Sequence, residues 1–263
     1  MGSIEDVLRQ AEEERKRRLK EQTPFPYVAP KQKYDGVDSR IVAISDPESY
    51  ISEEYRSLRT IILSFSSEKQ LKKLLITSSG RREGKTITAI NLAVTLSQAS
   101  DLRVLLLDCD LRRSAIHYYC GLNRSPGLSE ILTEGLSLNN VLQKTKMANL
   151  RIISSGKTTR NPSELLGSSQ MITLLNELER KYDFIIVDTT PVISVTDAAV
   201  VGPLVDGAIM VVRSRYTPRE KVSHAESILN QTGVNLIGFI LTHVKYYLPK
   251  SLYRYLHYRD YSG

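Results

Sequence analysis

A short glycine-containing segment has the residue types that bind nucleotide phosphates. It follows an apolar, strand-like run and precedes a helical pattern of apolar residues, which is the context that such a loop requires. Backbone N–H groups and the helix N-terminus would face the phosphates, Lys85 would reach the β- and γ-phosphates, and the Thr86 hydroxyl would ligate Mg²⁺. We therefore predict that ATP and Mg²⁺ bind here. The predicted nucleotide-binding residues are Ser79, Gly80, Arg81, Arg82, Glu83, Gly84, Lys85 and Thr86.

This loop departs from the strict phosphate-binding motif at its first position. The motif has glycine there, whereas this chain has Ser79, and Gly80 follows one residue later. Considered alone, the segment also fits a strand-to-helix turn that contains Gly-Lys-Thr without binding a nucleotide. Other residues must decide between the two interpretations.

Three aspartates follow apolar runs that have the pattern of buried strands. Asp108 and Asp110 are two residues apart at the end of one run, and Asp188 ends another. Alternate strand residues share a face, so the first two can serve one site. Mg²⁺ bound to phosphates needs only one or two carboxylates, which leaves one to deprotonate a hydroxyl. Any one of the three could instead cap a turn or a helix, but their agreement on one site favours phosphoryl transfer.

Tyrosine is concentrated at the C-terminus, where six of the fourteen tyrosines lie within the last eighteen residues. Beside an ATP site, this row of phenolic hydroxyls predicts phosphoryl transfer onto the chain's own tail or a neighbour's. The tyrosines follow neither a helical nor a strand period and Pro249 interrupts them, which predicts a mobile tail. Stacking on single-stranded nucleic acid or a short docking element is the alternative. The tyrosines are Tyr246, Tyr247, Tyr253, Tyr255, Tyr258 and Tyr261.

These residues require a scaffold that brings several strand ends together. Apolar runs without polar alternation are separated by helix-length segments, as expected of strands buried on both faces. We therefore predict an α/β fold with a doubly wound, mostly parallel sheet, whose carboxyl edge carries the site. The predicted strands are 74–77, 104–107, 151–153, 184–187, 207–212 and 236–241.

The chain divides into three predicted parts. Residues 1–40 combine a charged helical segment with a linker that contains Pro24, Pro26 and Pro30. Residues 41–244 form the catalytic domain, and residues 245–263 form the tyrosine-rich tail.

Composition excludes several classes of protein. The net charge of +7 is spread along the chain, so it does not indicate a nucleic-acid partner. Two cysteines make a disulfide framework implausible and favour a reducing compartment. No apolar run approaches the roughly 20 residues that span a bilayer, and the N-terminus lacks an apolar signal core. We expect a cytoplasmic protein without a membrane span.

Residues 45–263 resemble the bacterial tyrosine kinase family, which consists of P-loop enzymes of the deviant-Walker type, similar in fold to partitioning ATPases. Leu105 to Arg112 matches the family's Asp-x-Asp-x-Arg motif, Asp188 to Pro191 matches its Asp-x-x-Pro motif, and the tyrosine tail matches as well. The resemblance implies autophosphorylation in the control of capsule and exopolysaccharide synthesis. It assigns catalytic roles to Lys85, Asp108 (the base), Asp110 and Arg112, and Mg²⁺ binding to Thr86, Asp110 and Asp188. Arg112 and Arg113 would stabilise phosphate charge, with a structural ion pair as the alternative for Arg113.

A helical segment upstream carries a further match to the family. Glu53, Arg56 and Arg59 fit its Glu-x-x-Arg-x-x-Arg motif for ring-shaped self-association. At 100° per residue these side chains face away from the helix's apolar stripe, which leaves them free to meet another subunit. A solvated face with i,i+3 ion pairs is the alternative.

The resemblance also implies a partner and raises one question about rate. The partner is a membrane-anchored regulator of polysaccharide chain length, which would recruit the kinase to the inner face of the membrane and activate it. The family has Pro-Gly where this chain has Arg81 and Arg82, so nucleotide binding is better supported than a high rate. A switch ATPase of the partitioning or septum-positioning type, or a catalytically weak assembly protein, remains as the other interpretation.

Overall fold

The computed structural model describes residues 36–99 and 102–244. The predicted N-terminal helix and most of the linker, and the tyrosine tail, therefore lie outside the described residues. The helices are α1 (Val42–Ser45), α2 (Tyr50–Lys69), α3 (Lys85–Ser97), α4 (Ile116–Cys120), α5 (Leu128–Glu134), α6 (Leu138–Val141), α7 (Pro162–Leu166), α8 (Ser169–Lys181), α9 (Asp197–Val201) and α10 (Arg219–Gln231). The strands are β1 (Lys73–Ser78), β2 (Val104–Asp108), β3 (Gln143–Lys144), β4 (Leu150–Ile153), β5 (Phe184–Asp188), β6 (Gly207–Arg213) and β7 (Leu236–Thr242).

The seven strands form one sheet in the order β3-β4-β2-β5-β1-β6-β7. All neighbouring pairs are parallel except β3 with β4. The predicted α/β fold and all six predicted strands are confirmed, each to within one residue at either end. The sequence prediction missed β3, because two polar residues carry no strand pattern.

The sheet is buried because helices cover both of its faces. Every residue of β1, β2 and β5 is buried, so these apolar strands occupy the centre of the molecule. Helices α2 and α3 pack on one face, and α5 to α10 supply the core of the other. Burial of both faces of the sheet explains why the strand sequences are continuous apolar runs.

The parallel register brings the predicted acidic residues together. Strand β5 lies between β2 and β1, and it pairs Asp188 with Asp108 on one side and with Ile76 on the other. The carboxyl ends of all three strands therefore meet at one edge, next to the loop that follows β1. This is the edge at which doubly wound sheets bind ligands.

Helix α2 corrects part of the predicted self-association face. Its N-terminus is capped by the Ser49 side chain, and Glu53 and Arg56 form an exposed i,i+3 ion pair with a 2.7 Å hydrogen bond. Arg59, however, turns inward and donates from Nη1 to the backbone oxygen of Thr95 at 3.1 Å. The prediction that all three side chains are free to meet another subunit is not met by Arg59 in this structure, because its guanidinium contacts α3.

The described residues contain no helix that could span a membrane. None of the helices described combines the length and the apolar character that crossing a bilayer requires.

Candidate active site

The phosphate loop has the backbone conformation that its sequence requires. Gly84 caps helix α3 with φ +97°, in the left-handed region where a side chain is strained. A Cβ on Gly84 would stand 3.2 Å from Thr242 Cγ2, and the Thr242 hydroxyl donates to the Glu83 backbone oxygen at 2.6 Å. The end of β7 therefore holds the loop against the sheet, and glycine fits both the angle and the space.

Arg82 also adopts a left-handed backbone, with φ +62°. Such a conformation costs a residue with a Cβ roughly 1–2 kcal/mol relative to its ordinary regions. The loop thus keeps the shape of a loop with glycine at this position although arginine occupies it. Arg213 contributes a weak bond from Nη1 to the Arg82 backbone oxygen at 3.4 Å.

Glu83 organises the loop from within. Its buried carboxylate accepts hydrogen bonds from Ser79 Oγ at 2.9 Å, from the Gly80 N–H at 3.1 Å and from Thr217 Oγ1 at 2.7 Å. The serine that departs from the strict motif thus donates to the loop's own carboxylate. Sequence analysis placed Glu83 in the loop but missed this role, because Thr217 lies 134 residues away.

Lys85 and Thr86 converge with the predicted acids. Lys85 Nζ donates to Asp188 Oδ1 at 2.7 Å and lies 3.7 Å from Asp110 Oδ2, while Thr86 Oγ1 donates to Asp188 Oδ2 at 2.8 Å. One buried ammonium therefore lies among the carboxylates that the sequence assigned to the site. The structure brings together the four residues predicted to bind phosphate and Mg²⁺.

Asp108 is fully buried and both of its oxygens accept hydrogen bonds. Oδ1 accepts from the Asp110 N–H at 3.1 Å, and Oδ2 accepts from Ser114 Oγ at 2.7 Å. His117 Nδ1 lies 3.0 Å from the same Ser114 hydroxyl. Sequence analysis assigned no role to Ser114 or His117, since no motif marks a hydroxyl six residues after the aspartate.

The electrostatics of the cluster follow from its burial. Burial raises the pKa of Asp108 to about 7, and repulsion from Asp188 adds to this effect. Burial also raises the pKa of Asp188, although Lys85 opposes it. For Lys85, burial acts to lower the pKa, but the negative charges of Asp188 and Asp110 outweigh it and the pKa is raised. The lysine therefore stays charged, and Asp108 titrates near neutral pH.

Arg112 has partners that the sequence did not reveal. Its guanidinium forms two hydrogen bonds to Asp197, at 2.8 and 3.1 Å, and one to Ser163 Oγ at 3.0 Å. Asp197 is completely buried, so this pair ties the end of β2 to α9. The predicted contact of Arg112 with phosphate stays a prediction, because Nε and Nη2 bind Asp197 and Ser163 while Nη1 donates to no group among the described residues. The structural ion pair weighed for Arg113 belongs to Arg112.

The oxygen donors of the site suit Mg²⁺ in combination with a phosphate chain. Among the described residues, no group of three or more His, Cys, Asp or Glu side chains could hold a metal ion by itself. Thr86 and Asp188, already within hydrogen-bond distance of each other, offer hydroxyl and carboxylate oxygens. Mg²⁺ prefers such ligands and usually completes its shell with water and substrate phosphates. The residues therefore fit this ion.

Comparison with known proteins assigns the chain to a family. A family model described as an AAA domain matches residues 80–216, about half of the chain. The putative tyrosine-protein kinase CapB of Staphylococcus aureus is 35% identical over 209 residues, which cover 80% of this chain and 91% of CapB. The chain belongs to the bacterial tyrosine kinase family. The solved kinase domain of Escherichia coli tyrosine kinase ETK is 36% identical to this kinase, with a TM-score of 0.75, covering 80% of this chain and 82% of that domain.

More distant structures share only the fold with this kinase. The cell division ATPase MinD of Pyrococcus furiosus has a TM-score of 0.55 at 20% identity, covering 70% of this chain and 78% of MinD. This likeness confirms the predicted kinship in fold with partitioning-type ATPases. The enzyme itself is a tyrosine kinase of the bacterial type.

Proposed function

We propose that this kinase transfers the γ-phosphoryl group of ATP to the tyrosines of its own C-terminal tail, in trans within a ring. The observation that carries the proposal is the convergence of Lys85, Thr86, Asp110 and Asp188 around a phosphate loop, beside an aspartate whose pKa is about 7. Such an arrangement combines an anion site with a group that can accept a proton at neutral pH.

Nucleotide binding rearranges the contacts of two side chains. Lys85 leaves Asp188 for the β- and γ-phosphates, and the backbone N–H groups of the loop bind the remaining phosphate oxygens. Thr86, Asp188 and Asp110 would hold Mg²⁺, which neutralises phosphate charge when bound. Glu83 keeps the loop in shape throughout, since its three bonds come from the protein.

Asp108 then acts as the base for the acceptor. The phenolic proton replaces the Ser114 hydrogen bond on Asp108 Oδ2, the phenolic oxygen bonds to the γ-phosphorus, and the bond from that phosphorus to ADP breaks. A carboxylate with a pKa of about 7 accepts this proton far more readily than an ordinary aspartate would.

The acceptor segment begins close to this site. Thr242, the last residue of β7, bonds to the loop through the Glu83 backbone oxygen. The tail starts three residues later at Lys245. Thr242, which contacts the phosphate loop, thus precedes the first tail tyrosine by only four residues in the sequence.

Assembly and localisation complete the proposal. The exposed pair of Glu53 and Arg56 on α2 is available to a second subunit, whereas Arg59 first has to leave Thr95. Phosphorylation of three tail tyrosines, at roughly −1.5 to −2 charges each, would reverse the tail's charge of +3 and weaken the ring. By resemblance to the family, a membrane-anchored chain-length regulator recruits the cytoplasmic kinase to the inner membrane face and couples it to exopolysaccharide synthesis.

Phosphotyrosine mapping tests the proposal directly. The purified kinase is incubated with ATP and Mg²⁺ and its tail is analysed by mass spectrometry, with Lys85→Met as the inactive variant and the exposed Lys181→Met as the matched control. We expect phosphate on the tail of the parent and the control and none on Lys85→Met. Hydrolysis of ATP without phosphotyrosine, in the presence of the membrane partner as well, would instead indicate a switch ATPase.

A further inference from the structure

A cavity adjoins the start of the phosphate loop. Its volume is about 530 Å³. A smaller cavity of about 380 Å³ lies elsewhere, beside α5. Three segments line the larger cavity: the start of the phosphate loop, the loop after β5, and the segment that joins β6 to α10. The residues that matter are Arg81, Ile193, Tyr216, Pro218 and Lys221.

Two exposed cationic side chains, those of Arg81 and Lys221, lie at the edge of this cavity. Lys221 Nζ lies 3.6 Å from the position that a Cβ on Gly80 would occupy, so its ammonium lies over the loop backbone. Arg81 extends from the loop itself. Within residues 36–99 and 102–244, neither side chain forms an ion pair. The carboxylate of Glu83 is buried and already accepts three hydrogen bonds, so the cavity presents an excess of one positive charge.

The walls of the cavity suit an aromatic side chain. Ile193 and Pro218 are apolar, and the ring of Tyr216 is held by the Arg213 guanidinium at 4.7 Å from its centroid. The Thr217 hydroxyl bonds to Glu83 and fixes this wall to the phosphate loop. A phenol ring fits such a surface by stacking and apolar contact. The cavity thus combines an aromatic wall with two free cations.

The tail contains one acidic residue beside a tyrosine, which is complementary to a cavity with cationic and aromatic walls. Residues 245–263 carry four cations but a single acidic residue, Asp260, which directly precedes Tyr261. The cavity repels the basic stretches of the tail and attracts this carboxylate. From Thr242, eighteen residues reach at most roughly 60 Å, which is enough for the cavity of the same chain or of an adjacent subunit.

We propose that this cavity is the acceptor-docking site and that it selects Tyr261, with the Asp260 carboxylate bound between Arg81 and Lys221. The proposal rests on the proposed phosphorylation of the tail. Docking of Asp260 places the following residue at the phosphate loop, so Tyr261 is phosphorylated before the tyrosines that no acidic residue directly precedes.

Site-resolved kinetics test this selection in the full-length kinase. Phosphorylation of each tail tyrosine is measured by mass spectrometry at early time points, before the reaction is complete, for the parent, Lys221→Ala and Asp260→Asn. We expect Tyr261 first in the parent, and a slowing of about two- to five-fold at Tyr261 in either variant, the size of a partly exposed charge pair. Rates at Tyr246 and Tyr247 should stay unchanged.

Matched controls separate docking from general charge effects. Arg219→Ala removes an exposed cation from the same helix outside the cavity, and Arg259→Gln changes tail charge next to Asp260; neither should single out Tyr261. Combining Lys221→Glu with Asp260→Lys should restore the preference. A uniform slowing with a raised KM for ATP in Lys221→Ala would overturn the proposal, since Lys221 would then be a nucleotide contact. Absence of all tail phosphate in the parent would refute the proposed function instead.

Discussion

Replacing Asp108 by asparagine should inactivate the kinase and make the protein more stable. The carboxylate is fully buried, and burial raises its pKa from 3.8 to about 7. The folded protein therefore holds this proton more tightly than the unfolded chain does between about pH 4 and pH 7, and the free energy of unfolding falls as the pH rises through that window. Asparagine retains the acceptor for the Asp110 N–H and can donate to Ser114, so the substitution removes charge and little else.

The magnitude follows from the same shift. One pKa unit corresponds to about 1.4 kcal/mol, so ionised Asp108 costs the folded state at most about 4 kcal/mol at pH 8. At pH 5.5 the cost is about 2 kcal/mol, because the folded carboxyl is then mostly protonated. Asp108→Asn should therefore gain about 2 kcal/mol more stability at pH 8 than at pH 5.5.

Urea unfolding without nucleotide or Mg²⁺ at the two pH values measures this difference. The exposed Glu48→Gln serves as the control and should change stability by less than about 0.5 kcal/mol at either pH. In parallel, tail phosphorylation by Asp108→Asn should fall by about 10²-fold or more. The reasoning is refuted if the variant is less stable than the parent at pH 8, or if its gain is the same at both pH values.

Four further substitutions, at three positions, probe the phosphate loop and the Arg112–Asp197 pair. Gly84→Ala should lower the free energy of unfolding by about 1–3 kcal/mol, because it strains φ +97° and presses a Cβ onto Thr242; an unchanged urea midpoint would contradict this. Arg82→Gly should leave stability within about 1 kcal/mol or raise it, whereas Arg82→Val should cost more, and thermal unfolding of the pair decides. Arg112→Lys should lower the free energy of unfolding by about 1–2 kcal/mol, because lysine cannot form both hydrogen bonds to Asp197, while kcat of the folded enzyme stays unchanged. A fall in kcat without a loss of stability would instead support a catalytic role for Arg112.

The sequence predicted the scaffold well because its signals are local. Apolar runs such as Val104 to Leu107 are too long and too uniform to be half-exposed, so burial on both faces followed, and with it a parallel sheet. The same argument predicted that Asp108 and Asp188 lie at one edge of the sheet, whereas their direct pairing in register is known only from the structure. Acidic residues at the carboxyl ends of buried strands can therefore be identified as candidate site residues from a single sequence.

Side-chain partners were less visible because they depend on packing between distant segments. Thr217 meets Glu83 across 134 residues, and Asp197 meets Arg112 across 85. Helical geometry alone pointed Arg59 outward, but the position of α3 decides where that side chain lies. No spacing rule reports such contacts before the fold is known.

The bonds of Lys85 and Thr86 to Asp188 make nucleotide and metal binding mutually dependent. ATP alone would draw Lys85 away and leave a buried carboxylate without its counter-charge. Mg²⁺ alone would meet a carboxylate already neutralised by an ammonium at 2.7 Å. Only when both arrive together do Lys85 and Asp188 each exchange one charged partner for another. We therefore expect positive coupling between the two ligands, so that each binds more tightly when the other is present.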